Sequence, residues 1–275
     1  MQDRTVAFLA NDQRMEAAAC AEKAAAFFRE AGYQTFFLSE KEPDRCGMII
    51  TFGGDGTLLA GAAYAMRMGC PLLGINLGTV GFLTEGDPAR QDAILHRVLE
   101  GRYTLEERDL LRVSVEGDSS EYLALNDAVI TRGGFARLIQ VETRINQEHW
   151  GTFIADGGIA ATPTGSTGYS LSAGGPVVAP GVKGMIITPV CAHSMQHCPC
   201  IVPQDAVICF HLRAQRDQMA ELQIDGRNLR TLRAGERVTV TGASEKLKLV
   251  RMGDYQFFTL LETKLNEWSG EREGD

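Results

Sequence analysis

No apolar run in this 275-residue chain approaches the roughly eighteen residues that a bilayer-spanning helix needs, so no membrane span is expected. Basic residues are in deficit too. Lys and Arg number 27 against 35 Asp and Glu, a formal net charge of −8, which argues against a nucleic-acid binder with its usual basic face. Phosphorylated small molecules stay open, because a local nest of backbone N–H groups holds an anion even on an acidic protein. No internal repeat of fixed period is visible, and 44% apolar with 23% charged residues is an ordinary globular composition. The opening MQDRTVAFLAND is too acidic, and its apolar run too short, for a secretory signal. Seven cysteines, an odd number scattered through apolar stretches, read as reduced thiols, so a soluble cytoplasmic protein is expected.

The first hundred residues alternate strand and helix patterns. Strands are expected at Thr5–Ala10, Gln34–Leu38, Met48–Phe52 and Pro71–Asn76, and helices at Arg14–Glu30, Leu58–Met68 and Pro88–Leu99. This rhythm predicts a parallel sheet covered on both faces. From about Leu105 the texture changes to short β-type segments: Arg112–Glu116, Tyr122–Thr131, Leu138–Ile145, Thr152–Ala155, Ile186–Thr188, Val207–Arg213, Glu221–Ile224, Val238–Thr241 and Lys246–Val250. A helical piece near Gly165–Ser172 interrupts them, and Phe257–Trp268 is periodic enough for a terminal helix. The expected organisation is a Rossmann-like α/β domain over 1–102 and a mostly β domain of sandwich type over 103–252. A helical segment, 253–275, is expected to pack back on the first domain.

The stretch TFGGDGTLL, from Thr51 to Leu59, sets one acid among three glycines between a strand and a helix. A helix N-terminus offers unpaired N–H groups and partial positive charge, and Gly53, Gly54 and Gly56 let the backbone approach phosphate oxygens closely. The loop lacks the Lys-Ser/Thr pair of a Walker A motif, and its spacing is not the G-x-G-x-x-G dinucleotide fingerprint. Asp55 is the informative residue. A carboxylate beside a triphosphate repels it unless it ligates a cation or takes a proton from an attacking hydroxyl. The plainer alternative is a turn with Asp55 as a local cap.

Farther on, Asn126 can donate and accept at once, which suits an adenine edge or a ribose hydroxyl pair, and Asp127 can accept from ribose hydroxyls or an amide. A tight turn is the plainer alternative. In Thr162–Ser172, Pro163 and Gly165 end a strand, and Ser166 or Thr167 is placed to cap a short helix. Hydroxyls at 164, 166, 167, 170 and 172 surround Tyr169, a flat ring suited to stacking on a base, unless the loop is merely solvated. The stretch CAHSMQHCPC, from Cys191 to Cys200, suggests metal ligands, but Cys-Pro-Cys spacing is not a zinc knuckle and the second half of such a site is missing. No metal site is expected there, and His193 reads as a structural or site residue.

The motif GGDGT, from Gly53 to Thr57, resembles the signature shared by NAD kinases, 6-phosphofructokinases and the diacylglycerol and sphingosine lipid kinases. Two further blocks choose among them. ALNDAVITRG, from Ala124 to Gly133, and DGGIAATPTGSTGYSLSAGGP, from Asp156 to Pro176, resemble the remaining motifs of the NAD kinase family. With TPVCAHSM from Thr188 and YQFFTLLETKL from Tyr255 the resemblance covers nearly the whole chain. It implies transfer of the γ-phosphoryl of Mg-ATP (or of ATP with another divalent cation) to the 2′-hydroxyl of the adenosine ribose of NAD⁺. Asp55 would be the proton acceptor, and Gly53, Gly54, Gly56 and Thr57 would hold the donor phosphates. Contacts to NAD, expected to lie between the two domains, would come from Asp55, Gly56, Asn126, Asp127, Arg137, Asp156, Thr167, Gly168, Tyr169, Ser170, Leu171, Ser172 and Arg227.

The resemblance also implies a homodimer or homotetramer, with small-molecule substrates and neither nucleic-acid nor membrane partners. Departures stand out. Asp127 replaces the more common glutamate, Gly168 an alanine, and Ile154 a basic residue just before Asp156. Arg227 takes a place often held by glutamine, where it supplies that missing charge or sits in solvent. A lipid kinase sharing only the first motif, or an NAD(P)-binding sensor without catalysis, are the alternatives.

Overall fold

The computed structural model describes residues 3–78, 81–86, 90–133, 138–193, 198–213, 219–253 and 256–269. The chain divides into two compact units, one formed by 1–107 with 247–275 and the other by 108–246. The first unit is therefore discontinuous in sequence. Two long strands, β5 (Thr104–Val115) and β16 (Arg237–Arg251), carry the chain from one unit to the other.

The first unit is built on a parallel sheet. Strands β1 (Thr5–Ala10), β2 (Gln34–Phe37), β3 (Met48–Phe52) and β4 (Leu72–Ile75) run in the order β2-β1-β3-β4, and Leu249 near the end of β16 pairs in parallel with Leu72. β3 and β4 are buried along their whole length, as expected for parallel strands covered on both faces. On one face, α1 (Met15–Glu30) and α3 (Gln91–Leu99) pack on Val6, Phe8, Met48, Ile50 and Phe52. The buried positions Ala17, Ala21, Ala24, Ala25 and Phe28 follow helical spacing along α1, and the four small ones let the helix approach the sheet closely. α2 (Asp55–Met68) covers the other face. β1 leads to β2 on one side of itself while β3 lies on the other, so a topological switch point falls between the carboxyl ends of β1 and β3. Arg251, only 3% exposed, is held by Glu85 at 2.8 Å and Glu106 at 2.6 Å. The terminal helix α5 (Phe257–Ser269) brings Phe257 and Trp268 to the ring of Phe82, with centroids 6.1 and 6.4 Å away.

The second unit is a sandwich. One sheet holds β12 (Cys200–Pro203), β11 (Gly184–Val190), β10 (Gly157–Ala161), β7 (Asp127–Arg132), β14 (Met219–Ile224) and β15 (Arg227–Arg233), all antiparallel in that order. The other contains β16, β13 (Val207–Leu212), β8 (Ile139–Ile145) and β9 (Glu148–Ala155), with β5 on β16 and β6 (Glu121–Ala124) on β5. Their facing side chains, among them Ile130, Ile187 and Leu222 against Val141, Phe153 and Phe210, make one core. On the outer face of the six-stranded sheet, Val129, Ile159, Ala161 and Ile186 form a smaller core with Val178 and Ala173. This core carries a 3₁₀ turn, Thr164–Thr167, and the one-turn helix α4 (Tyr169–Ser172). The architecture is the one expected, an α/β unit, a β unit of sandwich type and a terminal helix. Among the described residues no helix is long and apolar enough to cross a membrane.

Several elements differ in extent from the sequence reading. α2 begins at Asp55 rather than Leu58, so the acid sits in the first helical turn. Tyr122–Thr131 is two strands, broken at Leu125–Asn126. β12 and β15 had no expectation at all, and of β10 only its end before Pro163 was expected.

Candidate functional site

In the first unit the chemistry gathers at the start of α2. Gly53 is buried and its N–H donates to the carbonyl of Ile75 at 3.0 Å, so this glycine closes the strand end instead of facing solvent. Gly54 is the N-cap with no side-chain cap, and the N–H groups of Thr57 and Leu58 already point back to its carbonyl. That leaves the amides of Asp55 and Gly56 without an intrahelical acceptor. Gly54 and Gly56 are exposed, and the space where their Cβ atoms would stand is open. A cavity of about 560 Å³ opens there, at the switch point, lined by Asn11, Asp12, Arg14, Gly54, Gly56 and Thr57 among others. An open helix N-terminus over such a cavity suits an anion.

Asp55 is gripped by a neighbouring loop that the sequence reading missed. Phe82 donates its N–H to Oδ2 at 2.8 Å, Leu83 its N–H to Oδ1 at 3.2 Å, and the Thr84 hydroxyl reaches Oδ1 at 3.3 Å. The Thr84 hydroxyl also accepts from Gly81 N–H at 3.2 Å. A Cβ at Gly81 would overlap both carboxylate oxygens of Asp55, so any side chain there has to displace the acid from its clamp. Arg14, at the N-cap of α1, lines the cavity and donates Nη1 to Leu77 O at 2.7 Å. It places a cation on the wall of the cavity that the helix start also lines.

In the second unit, Asn126 and Asp127 sit where β6 gives way to β7. The backbone there is held by Asp225, whose carboxylate accepts the N–H groups of Leu125 at 2.9 Å, Asn126 at 2.7 Å and Asp127 at 3.1 Å. Asp225 has φ of +49° and Gly226 +76°, the left-handed pair of a tight hairpin turn between β14 and β15. The signal was present as an Asp-Gly pair after an apolar strand, but its partner lies about a hundred residues away. From the other side Thr162 ties down the same segment, its N–H to Asn126 O at 2.8 Å and its hydroxyl to Leu125 O at 2.6 Å. So fixed, the Asn126 side chain holds a buried Oδ1 with no hydrogen-bond partner among the described residues. A buried unpaired acceptor is costly, and a donor on a bound molecule would satisfy it.

The turn at Gly168 lies against these residues, the position of its absent Cβ being 3.6 Å from Asn126 Nδ2 and 4.0 Å from Asp127 Oδ2. Tyr169 is 43% exposed, and burial together with the charges of Cys191, Asp156 and Asp127 raises its hydroxyl above the usual tyrosine value. Asp156 is paired with Arg132 at 2.6 Å, so a basic residue stands beside it in space although Ile154 precedes it in sequence. Asn126, Asp127, Asp156, Gly168 and Tyr169 thus come together. Not every candidate reaches outward. Ser170 is fully buried, sharing a hydrogen bond of 2.8 Å with Thr188, and Ser166 accepts from Val178 N–H at 3.0 Å while donating to Pro163 O at 2.7 Å. Neither Ser166 nor Thr167 caps α4; Gly168 holds the N-cap without a side-chain bond, because both hydroxyls turn back to the 3₁₀ turn. Leu171 is half-buried, Ser172 and Arg227 are exposed, and Arg137 lies outside the described residues.

Burial, reinforced by the nearby Asp225, pushes the Asp127 carboxyl up to about 7, and burial raises Asp225 as well against its three backbone donors. An unfolded aspartate titrates near ~3.9. Between there and 7 the folded chain keeps a proton that the unfolded chain has lost. This contribution to stability is therefore full below about pH 4, falls as pH rises, and levels off above 7. Asp127→Asn removes the penalty. It is expected to raise the unfolding free energy at pH 8 by roughly 1–3 kcal/mol and to flatten its slope between about pH 5 and 8. Urea unfolding across that range checks it, and an unchanged slope would show that Asp127 ionises normally.

Among the described residues no group of three or more His, Cys, Asp or Glu side chains is placed to hold a metal ion, and 194–197 of the Cys/His-rich stretch lie outside the description.

Compared with known proteins, residues 4–103 match the ATP-NAD kinase N-terminal domain and residues 125–252 the ATP-NAD kinase C-terminal domain. An NAD kinase of Moorella thermoacetica is 37% identical, covering 100% of this chain and 84% of its own length. One from Natranaerobius thermophilus is 41% identical over 79% of this chain and 77% of its own. In fold, the chain resembles yeast NADH kinase complexed with NADH, with a TM-score of 0.85, 22% identity, and coverage of 99% of this chain and 89% of that one. It also resembles an NAD kinase from Archaeoglobus fulgidus in complex with ATP, with a TM-score of 0.75, 24% identity, and coverage of 95% and 98%. Both domains of one family are matched in order, and relatives above 30% identity span most of the sequence: the chain belongs to the ATP-NAD kinase family.

Proposed function

We propose that this protein is an NAD kinase that moves the γ-phosphoryl group of ATP to the 2′-hydroxyl of the adenosine ribose of NAD⁺, giving NADP⁺ and ADP. The observation that carries this reading is the Asp55 carboxylate, clamped at an open helix N-terminus, in a chain of this family. A carboxylate has about four lone-pair positions. Leu83 and Thr84 occupy two on Oδ1 and Phe82 one on Oδ2, so among the described residues Oδ2 keeps a free position for a substrate hydroxyl. Asp55 takes the proton of that hydroxyl as the new O–P bond forms, while the bond from the γ-phosphorus to the β,γ-bridging oxygen breaks and ADP leaves. The amides of Asp55 and Gly56 meet donor phosphate oxygens, and Gly54 keeps the approach open. Asn126 and Asp127 hold the acceptor nucleotide with Tyr169 stacked on a base, and Asp156 and Arg132 line the same region. Arg137 and Arg227 complete the set by resemblance. Mg²⁺ (or another divalent cation) bound to ATP would supply neutralising charge on the phosphates. By the same resemblance the enzyme works in the cytoplasm as a homodimer or homotetramer.

Incubation with Mg-ATP and NAD⁺ should give NADP⁺ and ADP in equal amounts. NAD⁺ binding without any NADP⁺ would overturn this reading in favour of a sensor. Two variants probe the parts. Thr84→Val keeps the shape but removes one long hydrogen bond on Asp55, and should lower kcat about fivefold with both KM values unchanged. Arg14→Gln should raise the KM for ATP roughly three- to tenfold and leave that for NAD⁺ alone, since its guanidinium serves the donor side only. Steady-state kinetics in each substrate decide both, and a shift in the NAD⁺ KM with Arg14→Gln would count against its placement.

A further inference from the structure

The second unit carries another cavity, of about 360 Å³, lined by Glu142 and Arg144 of β8, Cys209 and His211 of β13, and Arg213 and Arg237. Register explains the gathering. His211 pairs with Glu142 on one side and Arg237 on the other, and Cys209 lies opposite Arg144. The neighbours Val141, Phe210, Leu212 and Val238 belong to the sandwich core, so strand alternation turns this row to the outer face.

Glu142 is only 5% exposed, unusual for a carboxylate on an outer face. Its Oε1 accepts Arg144 Nε at 2.9 Å, and its Oε2 accepts Arg213 Nε at 2.8 Å with His211 Nδ1 3.5 Å away. Those contacts hold its carboxyl below the usual glutamate range, Arg144 foremost. Both arginines engage Glu142 through Nε, which fixes their planes and leaves Arg144 Nη2 and the terminal nitrogens of Arg213 for another acceptor. Arg144 uses Nη1 on Gln147 O at 3.0 Å, and Arg237 uses Nη1 on Glu116 at 3.1 Å. Three guanidinium groups therefore face one recess of a chain whose net charge is −8.

We infer that this recess binds a di- or triphosphate group through the terminal nitrogens of Arg144, Arg213 and Arg237, with Glu142 orienting the first two. Planar guanidinium groups match phosphate oxygens, and three cations at one recess favour an anion that carries more than one charge. The inference stands apart from the kinase reading, and neither Arg213 nor Arg237 has a part in that chemistry. The phosphate source is either a free inorganic anion or the phosphate tail of a nucleotide.

Calorimetric titration of the full chain with sodium pyrophosphate, without NAD⁺, tests it. Two binding events are expected, one at the α2 N-terminus and one here. Arg213→Gln should weaken one event at least tenfold and leave the other event and NADP⁺ formation unchanged. Arg237→Gln, whose partner Glu116 is exposed and whose loss leaves Glu142 paired, should weaken the same event about threefold. Glu142→Gln should weaken the same event, because Arg144 and Arg213 lose the charge that orients them. A single event in the wild type, or two events indifferent to both arginine variants, overturns the inference. Tighter binding of ADP than of pyrophosphate at the Arg213-sensitive event assigns the nucleotide as source; equal or weaker binding assigns the free anion.

Discussion

Asp55→Asn is expected to leave NAD⁺ affinity within about twofold and to cut turnover at least a hundredfold, the scale of a lost general base. The carboxamide nearly matches the carboxylate in shape, so the site keeps its form. It cannot accept the proton, and it cannot satisfy every donor of the clamp. Phe82 and Leu83 both present N–H groups, on opposite oxygens of Asp55, and one of them would face an NH₂ group. Two losses are therefore mixed in this variant, and Thr84→Val separates them, since it loosens the clamp while the base remains. NAD⁺ titration alongside steady-state turnover makes the measurement. Turnover within tenfold of wild type would leave Asp55 as a structural tie between α2 and residues 81–84.

Gly165→Ala is the second large effect. A Cβ at this position would overlap the carbonyl oxygen, carbonyl carbon and Cα of Asn126. These are backbone atoms, so no side-chain rotation relieves the clash. Nor can the segment slide away, because Asn126 is held by Asp225 on one side and Thr162 on the other. The second unit should lose about 3 kcal/mol, which corresponds to a Tm lower by roughly 6–12 °C. NAD⁺ affinity should fall at least tenfold as the Asn126 side chain is displaced. Gly168→Ala is the contrast. Its Cβ would meet nothing nearer than 3.3 Å, and the change should stay within about 1 kcal/mol. Thermal unfolding and NAD⁺ titration of the two variants distinguish local crowding from a general intolerance of this loop. Equal behaviour would refute the account given for Gly165.

The alternation of strands and helices in the first unit was readable because its apolar periods are clean and its helix ends carry Gly32 and Gly69 in left-handed conformations. β10 was readable only at its end before Pro163. Gly-Gly-Ile-Ala-Ala lacks the bulky residues that advertise a strand, yet it is central and wholly buried. Small residues are needed there, since the Cβ position of Gly158 already lies 3.4 Å from the rings of Phe153 and Phe210 across the sandwich. β15 was hidden for the opposite reason, an edge strand so rich in arginine that it reads as a solvated loop. At the site, local chemistry singled out Asp55, Asn126 and Asp127. What holds them was invisible, because Phe82, Leu83 and Thr84 lie 27 to 29 positions from Asp55 and Asp225 about a hundred from Asn126. Backbone donors leave no mark in a sequence.

The discontinuity of the first unit has a consequence for biosynthesis. Val250 and Met252 belong to its core, and Arg251 neutralises Glu85 and Glu106 within it. When a ribosome has finished the glycine loop and β4, about 175 residues must still emerge before that plug arrives. The inserted β unit, contiguous in the chain, can complete itself first, so the half that carries the glycine loop waits on the segment from Leu247 onward to become whole.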